Sequence, residues 1–185
     1  MVAVVQRGIS IRRTSTLALL LLAFAFVVSA PASAVDRAAH HPLLGQPAPE
    51  LIERMFTGQS RNFRLSERRG EVVVVGFWTS WCGSCRSYLE RLGKLDATYA
   101  SAGLVVVGVS LDDKPAKAAD LTHALGVKFG NVFDSEKVLG RRFQVSDVPL
   151  TLLIDRNGVV RYAHGELDSA ADAALVVELR KLLDE

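Results

Sequence analysis

The sequence predicts an α/β fold with three layers, in which a central mixed β-sheet lies between two layers of helices. Two apolar runs rich in β-branched residues, 72–77 and 104–110, have the composition of strands buried on both faces. An amphipathic segment of helical period separates them, and strand, helix and strand at this spacing form a right-handed parallel crossover. A predicted hairpin near the C-terminus adds antiparallel strands, so the sheet should be mixed.

The first 34 residues have the pattern of a secretory signal peptide. Three arginines precede an apolar run at 17–28, and the small residues Ala32-Ser33-Ala34 follow it. The run is short for a membrane span, although an uncleaved N-terminal anchor is an alternative. Residues 35–45 include His40-His41-Pro42 and show no periodicity, which is typical of a linker with solvated histidines. We therefore expect a single domain at 46–185.

Charge and composition exclude one class of partner. The whole chain has a formal net charge of +2, from 22 basic and 20 acidic residues. Three of the arginines and none of the acids lie in the first 34 residues, so the rest of the chain is close to neutral. No basic patch interleaved with aromatic residues remains, and we expect no nucleic acid as a partner.

The segments before and after the first long strand continue the pattern. Short apolar stretches at 51–56 and 59–65 predict an N-terminal hairpin. A helix is expected from Cys82 to about Ala100, because Leu89, Leu92, Leu95 and Tyr99 share one face. Ser101-Ala102-Gly103 should end this helix, and the strand 104–110 follows.

The second half of the chain predicts an α/β insertion and then a terminal hairpin and helix. The insertion consists of a helix from about 115 to 125, a short strand at 132–133 and a short helix at 135–143. Strands at 151–154 and 159–163 flank Asp155-Arg156-Asn157-Gly158, in which Asn-Gly is a strong turn signal. A helix at 168–183 completes the fold.

Cys82 and Cys85 are the only cysteines, and they lie where a buried strand gives way to a helix. Unpaired N–H groups and the helix dipole at such a position lower the pKa of a thiol, so Cys82 should carry much thiolate. A purely structural disulfide is disfavoured, because a four-residue loop contributes only about 1.9 kcal/mol. Zinc would need two further ligands, and His123 and His164 stand alone in unrelated segments. The pair therefore indicates redox chemistry.

The motif W-C-G-S-C at 81–85 resembles that of the thioredoxin superfamily, and R-G-E-V-V-V-V at 69–75 resembles its exported TlpA/ResA-like group. The resemblance implies a thioredoxin-like three-layer α/β/α fold with an N-terminal hairpin and a mid-domain α/β insertion. It also implies that Cys82 attacks a partner disulfide and that Cys85, less exposed and one helical turn further on, resolves the mixed disulfide.

The same resemblance assigns roles to Pro149 and Val148, and the position of Trp81 suggests a third role. Pro149 should have a cis peptide bond and lie against the cysteine pair, and the backbone of Val148 should pair with an extended substrate. Leu150 replaces the threonine that usually follows this proline. Trp81 precedes the attacking cysteine and should shield it and contact substrate, whereas Trp78 should belong to the core.

Two positions depart from the family. Many TlpA/ResA-like members have an acid three residues after the second cysteine, where this chain has Tyr88, and thioredoxin has a buried aspartate where this chain has Gly76. Asp112, Asp113 and Asp147 follow or precede strand ends and are candidates to substitute for these acids. We interpret each of the three as a solvated turn residue.

These observations predict an exported thiol-disulfide oxidoreductase of the periplasm or cell envelope, with retention there by an uncleaved anchor as an alternative. Gly83 and Ser84 offer no histidine like that of strongly oxidising relatives, which favours a reductant of protein disulfides or of oxidised apocytochrome c cysteines. We expect a monomer that uses no cofactor besides the Cys82–Cys85 disulfide and receives electrons from a membrane donor.

Two alternatives remain open at this point. A thiol peroxidase of the peroxiredoxin type shares the strand order, and Thr79 stands three residues before Cys82, but Val75 occupies the position of the proline in that family. A non-enzymatic module that uses the cysteine pair to hold a metal or an assembly partner is the other alternative.

Overall fold

The computed structural model describes residues 40–58 and 62–185. The predicted signal peptide at 1–34 and residues 35–39 of the predicted linker lie outside the described residues. The helices of the described part are α1 (Cys85–Tyr99), α2 (Pro115–Ala124), α3 (Val138–Arg142) and α4 (Ser169–Asp184). Its strands are β1 (Ile52–Thr57), β2 (Asn62–Arg64), β3 (Val72–Trp78), β4 (Leu104–Ser110), β5 (Gly130–Phe133), β6 (Leu150–Ile154) and β7 (Val160–His164).

The seven strands of the described residues form one mixed sheet in the order β2-β1-β5-β4-β3-β6-β7. Strand β4 pairs in parallel with β3 and β5, whereas β6 is antiparallel to β3 and β7 is antiparallel to β6. Strands β1 and β2 form the expected antiparallel hairpin. Because β3, β4 and β5 run in the same direction, their carboxyl ends meet at one edge of the sheet, where parallel sheets place functional groups.

Alternating side chains of β3 build a core on each face of the sheet. Val73, Val75 and Phe77 pack on one side with residues that include Leu139 of α3 and Phe143. Val72, Val74 and Trp78 pack on the other side against the apolar faces of α1 and α4. This confirms the predicted three-layer α/β/α fold.

Helices α1 and α4 are held by leucines at helical spacing. The buried leucines are Leu89, Leu92 and Leu95 of α1 and Leu175, Leu179 and Leu182 of α4. Truncation of such a leucine to alanine commonly costs about 2–5 kcal/mol, so these six side chains fix both helices firmly on the sheet. The helix that follows the cysteine pair is therefore a rigid support.

The hairpin between β6 and β7 confirms the turn predicted from Asn157-Gly158. The side chain of Asp155 accepts hydrogen bonds from the backbone amides of Asn157 and Val159, each at 2.9 Å. Gly158 has φ = 77°, a left-handed conformation that glycine adopts without strain.

Residues 40–45 pack on the domain and do not form the solvated linker that the sequence predicts. Leu43 is buried in the core, the His41 side chain is 6% exposed, and the amide of Gly45 donates to the carbonyl of Val160 at 2.8 Å. This segment packs on the domain because its leucines bury apolar surface, so the expectation of solvated histidines is wrong for His41. No helix in the described ranges has the length and hydropathy needed to span a membrane.

Candidate active site

The cysteine pair lies in the loop that leaves the carboxyl end of β3. Cys82 and Cys85 form a disulfide, with 5.3 Å between their Cα atoms. Helix α1 begins at Cys85 and Ser84 is its N-cap residue, so the prediction that the helix begins at Cys82 is wrong. A turn precedes the helix instead, in which the amide of Cys85 donates to the carbonyl of Cys82 at 3.2 Å. Both sulfurs still lie at the N-terminal end of α1.

The two cysteines differ in accessibility. Cys85 is completely buried, whereas Cys82 is partly exposed. The Sγ atom of Cys82 lies 3.7 Å from the hydroxyl oxygen of Ser84. A hydroxyl donor at this position stabilises the thiolate that forms when the disulfide is reduced. Because only Cys82 is partly exposed, incoming thiols and disulfides reach Cys82 more readily than Cys85.

A loop distant in sequence completes the site. The Val148–Pro149 peptide bond is cis, as the resemblance implies. The carbonyl oxygen of Val148 lies 3.8 Å from the Sγ atom of Cys82. The structure thus brings Val148 and Cys82 together, and the pairing of Val148 with a substrate backbone stays a prediction.

The two tryptophans have the different environments that the sequence suggests. Trp81 is 75% exposed and lines two surface grooves, one with Leu111 and Val148 and the other with Arg86 and Lys117. Trp78 is buried. Its Nε1–H donates to the side-chain oxygen of Asn131 at 3.0 Å. Trp81 is therefore placed to contact a substrate that reaches Cys82, a role that stays a prediction.

The surroundings of Asp112 contradict its interpretation as a solvated turn residue. Its side chain is only 3% exposed, and its oxygens accept hydrogen bonds from the amide and hydroxyl of Ser80 and from the hydroxyl of Ser110. A buried carboxylate with these donors is a structural anchor of the active-site loop, not a solvated turn residue.

The two other candidate aspartates lie at the surface. Asp113 is exposed and pairs with Lys137 at 2.8 Å, which holds the pKa of its carboxyl below its usual range. Asp147 is also exposed and accepts a hydrogen bond from the Ser146 hydroxyl at 3.2 Å.

Tyr88 makes a connection that the sequence did not reveal. Its hydroxyl lies 3.1 Å from the carbonyl oxygen of Leu150 and 2.9 Å from the hydroxyl of Thr151, both of which directly follow Pro149. Gly76 lies in the apolar strand β3, next to the Tyr88 hydroxyl. A glycine inside such a strand often marks the close approach of another group, so Gly76 is the signal in the sequence for this contact.

Comparison with known proteins agrees with this geometry. The chain is 33% identical over 129 residues to the thiol:disulfide interchange protein DsbE of Yersinia pestis, a match that covers 68% of this chain and about two thirds (66%) of the relative. It is 27% identical to the thiol-disulfide oxidoreductase ResA of Geobacillus thermodenitrificans over 82% of this chain and 84% of the relative. These relatives confirm the prediction of a thiol-disulfide oxidoreductase.

A solved structure and a family match extend the comparison to the fold. The crystal structure of a Chlorobium tepidum protein assigned as a thiol:disulfide interchange protein DsbE superimposes with a TM-score of 0.70 at 32% identity. It covers 76% of this chain and 97% of the other, which confirms the thioredoxin-like fold. The family described as AhpC/TSA matches residues 44–163. The chain therefore belongs to the AhpC/TSA family.

Proposed function

We propose that the Cys82–Cys85 pair reduces disulfides of protein substrates outside the cytoplasm. The unequal exposure of the two cysteines carries this proposal, because Cys82 is partly exposed and Cys85 is completely buried. Disulfide exchange needs one sulfur that a partner can reach and a second that reacts only within the protein. The pair meets this requirement at the N-terminus of a rigidly packed helix.

The reaction begins from the dithiol form. The Cys82 thiolate attacks one sulfur of the substrate disulfide, a mixed disulfide forms, and the other substrate sulfur leaves as a thiolate and takes up a proton. The Cys85 sulfur, after losing its proton, then attacks the Cys82 sulfur and displaces the second substrate thiol. The substrate gains two electrons and two protons, and the enzyme is left with the Cys82–Cys85 disulfide.

The proposal also specifies that the reaction runs towards reduction of the client and in which compartment it occurs. The residues between the cysteines are Gly83 and Ser84, and this lack of a histidine supports a reductant. The pattern of residues 1–34 supports export to the periplasm or cell envelope. We propose that the client sulfurs include those of apocytochrome c, that a membrane protein returns the electrons, and that the enzyme acts as a monomer.

Trapping of the mixed disulfide tests the reaction. The Cys85→Ser variant retains the attacking sulfur and lacks the resolving one, so it should accumulate covalent complexes with clients in the native compartment. These complexes should disappear on treatment with dithiothreitol. The Cys82→Ser variant is the matched control and should trap far less, because its remaining sulfur is buried. Equal trapping by the two variants would contradict the assigned roles.

Two further measurements test the direction and the main alternative. A reduction potential well below that of the compartment is expected for a reductant, and 30 mV corresponds to about 1.4 kcal/mol for two electrons. A potential above that of the compartment would instead indicate an oxidant. Rapid consumption of hydroperoxide by the purified protein, without exchange of protein disulfides, would favour the thiol peroxidase alternative.

A further inference from the structure

A buried tyrosine joins the cysteine-bearing helix to the strand that follows Pro149. Tyr88 lies three residues after Cys85 on α1 and is 3% exposed. Its hydroxyl donates to the Leu150 carbonyl at 3.1 Å, and the Thr151 hydroxyl therefore donates to the phenol oxygen at 2.9 Å. These two bonds use both the donor and an acceptor site of the phenol.

The strand beneath this phenol is shaped to admit it. Gly76 of β3 pairs with Thr151 of β6 in the sheet, so it lies next to the bonded group. A Cβ atom on residue 76 would lie 2.6 Å from the Tyr88 hydroxyl oxygen and 2.6 Å from Cδ1 of Leu92. The absence of a side chain at Gly76 therefore provides the space in which Tyr88 reaches β6.

The phenol acts as a neutral connection. Burial raises the pKa of Tyr88, so its hydroxyl stays protonated in the range where proteins are active. Its proton is already donated to the Leu150 carbonyl. A group in this state neither accepts a proton from Cys85 nor supplies charge to the cysteine pair, and its contribution is to hold two elements in place.

We propose that Tyr88 is a positioning residue for disulfide exchange with peptide substrates, because it ties α1 to the start of β6 and so holds the Val148 carbonyl beside Cys82. This inference rests on the proposed function. Leu150 and Thr151 lie only two and three residues after Val148, so a shift of β6 against α1 moves the Val148 carbonyl relative to the Cys82 sulfur.

Substrates with and without a peptide backbone should respond differently to the loss of this connection. A peptide disulfide that pairs its backbone with Val148 depends on the distance between that residue and Cys82. A small aromatic disulfide such as 5,5′-dithiobis(2-nitrobenzoic acid) has no backbone to pair and depends only on the reactivity and exposure of Cys82. The comparison separates positioning of the substrate from reactivity of the thiol.

The Tyr88→Phe variant tests the proposal, since it removes the hydroxyl and keeps the buried ring. We expect its KM for a peptide with one disulfide to rise about tenfold, the free-energy equivalent of one or two lost hydrogen bonds. Its kcat for the peptide and its rate with the aromatic disulfide should each stay within about twofold of the wild type. Tyr99→Phe is the matched control on the same helix, where the hydroxyl accepts from Arg180 instead, and it should change neither rate.

Two more variants test the role of the Tyr88 hydroxyl through changes at neighbouring residues. Thr151→Val removes one of the two bonds and should raise the KM for the peptide less than Tyr88→Phe does. Gly76→Ala should reproduce the effect of Tyr88→Phe, because its Cβ displaces the phenol. In the Gly76→Ala/Tyr88→Phe double variant the two effects should not add.

The possible results separate this proposal from the proposed function. An unchanged KM in Tyr88→Phe, or equal losses with the peptide and the aromatic disulfide, would overturn the positioning role. A wild-type protein that exchanges neither substrate would instead overturn the proposed function.

Discussion

The carboxylate of Asp112 accepts a hydrogen bond from the backbone amide of Ser80, which lies 3.1 and 3.0 Å from its two oxygens. It also accepts a hydrogen bond from the Ser80 hydroxyl at 2.7 Å. Asp112 follows β4, whereas Ser80 belongs to the loop between β3 and Cys82. The Ser110 hydroxyl adds a further bond at 2.9 Å. A buried carboxylate that follows the neighbouring strand thus holds the loop that leads into the cysteine motif.

Replacement of Asp112 by alanine should destabilise the protein and slow disulfide exchange. Loss of the carboxylate leaves the Ser80 amide without its acceptor, which costs about 2 kcal/mol in a partly buried site. Urea denaturation should show the lower stability, and the rate with the aromatic disulfide should fall because the loop before Cys82 is less ordered. Asp113→Ala is the matched control, because that side chain is exposed. It should leave both the stability in urea and the rate with the aromatic disulfide unchanged. Similar behaviour of the two variants would contradict the anchoring role of Asp112.

The bond between Trp78 and Asn131 should show a measurable coupling energy. The Asn131 amide accepts from Trp78 Nε1 at 3.0 Å and donates to the Thr57 hydroxyl at 3.0 Å, with Asn131 itself fully buried. Asn131→Ala should cost about 2–3 kcal/mol, because the indole N–H is left without a partner. In a double-mutant cycle with Trp78→Phe, Asn131→Ala should cost less in the phenylalanine background than in the wild type. Additive effects would mean that the hydrogen bond contributes little.

Trp81→Ala should impair the use of protein substrates without loss of stability. A side chain that is 75% exposed contributes little to the core, so the free energy of unfolding should change by less than about 0.5 kcal/mol. The KM for a protein disulfide should rise several-fold, since large aromatic side chains dominate many protein contacts. Val177→Ala on α4 removes another exposed apolar side chain away from the cysteines and is the control. Equal KM values for the two variants would remove Trp81 from the substrate surface.

Much of this architecture could be predicted because strong local signals agree with one another. The apolar runs of β3 and β4, the leucine face of α1 and the Asn157-Gly158 turn each indicate one structure, and the folded chain contains all of them. The cysteine pair can be predicted for the same reason, since its chemistry depends on a short motif at a strand end.

The remaining features depend on contacts between distant segments. Asp112 resembles a solvated turn residue in sequence, because its bonds to the amide and hydroxyl of Ser80 join positions 32 residues apart. The phenol of Tyr88 likewise finds its partners 62 and 63 residues away. Helix α1 begins at Cys85, about one turn after the start that the sequence predicts, because helix boundaries depend on local hydrogen bonds that a pattern of residues does not specify.

The packing of residues 40–45 has a consequence for stability as a function of pH. The Nδ1 atom of His41 accepts from the amide of Leu43 at 3.3 Å, and burial lowers the pKa of His41 below its ordinary value of 6.5. Backbone groups of Phe143 and Gln144 oppose this shift in part. The unfolded chain therefore binds a proton below about pH 6.5 more readily than the folded chain does, and the free energy of unfolding falls as the pH decreases through this window.

The His41→Asn variant should weaken this dependence, since asparagine can accept the same hydrogen bond and does not titrate. One histidine contributes at most about 1.4 kcal/mol per pH unit, so urea denaturation at pH 5.5 and 7.5 is sensitive enough to detect the difference. The wild type should lose stability between these values by more than the variant does. An identical pH dependence in the wild type and His41→Asn would show that residues 40–45 do not hold a neutral histidine against the domain in solution.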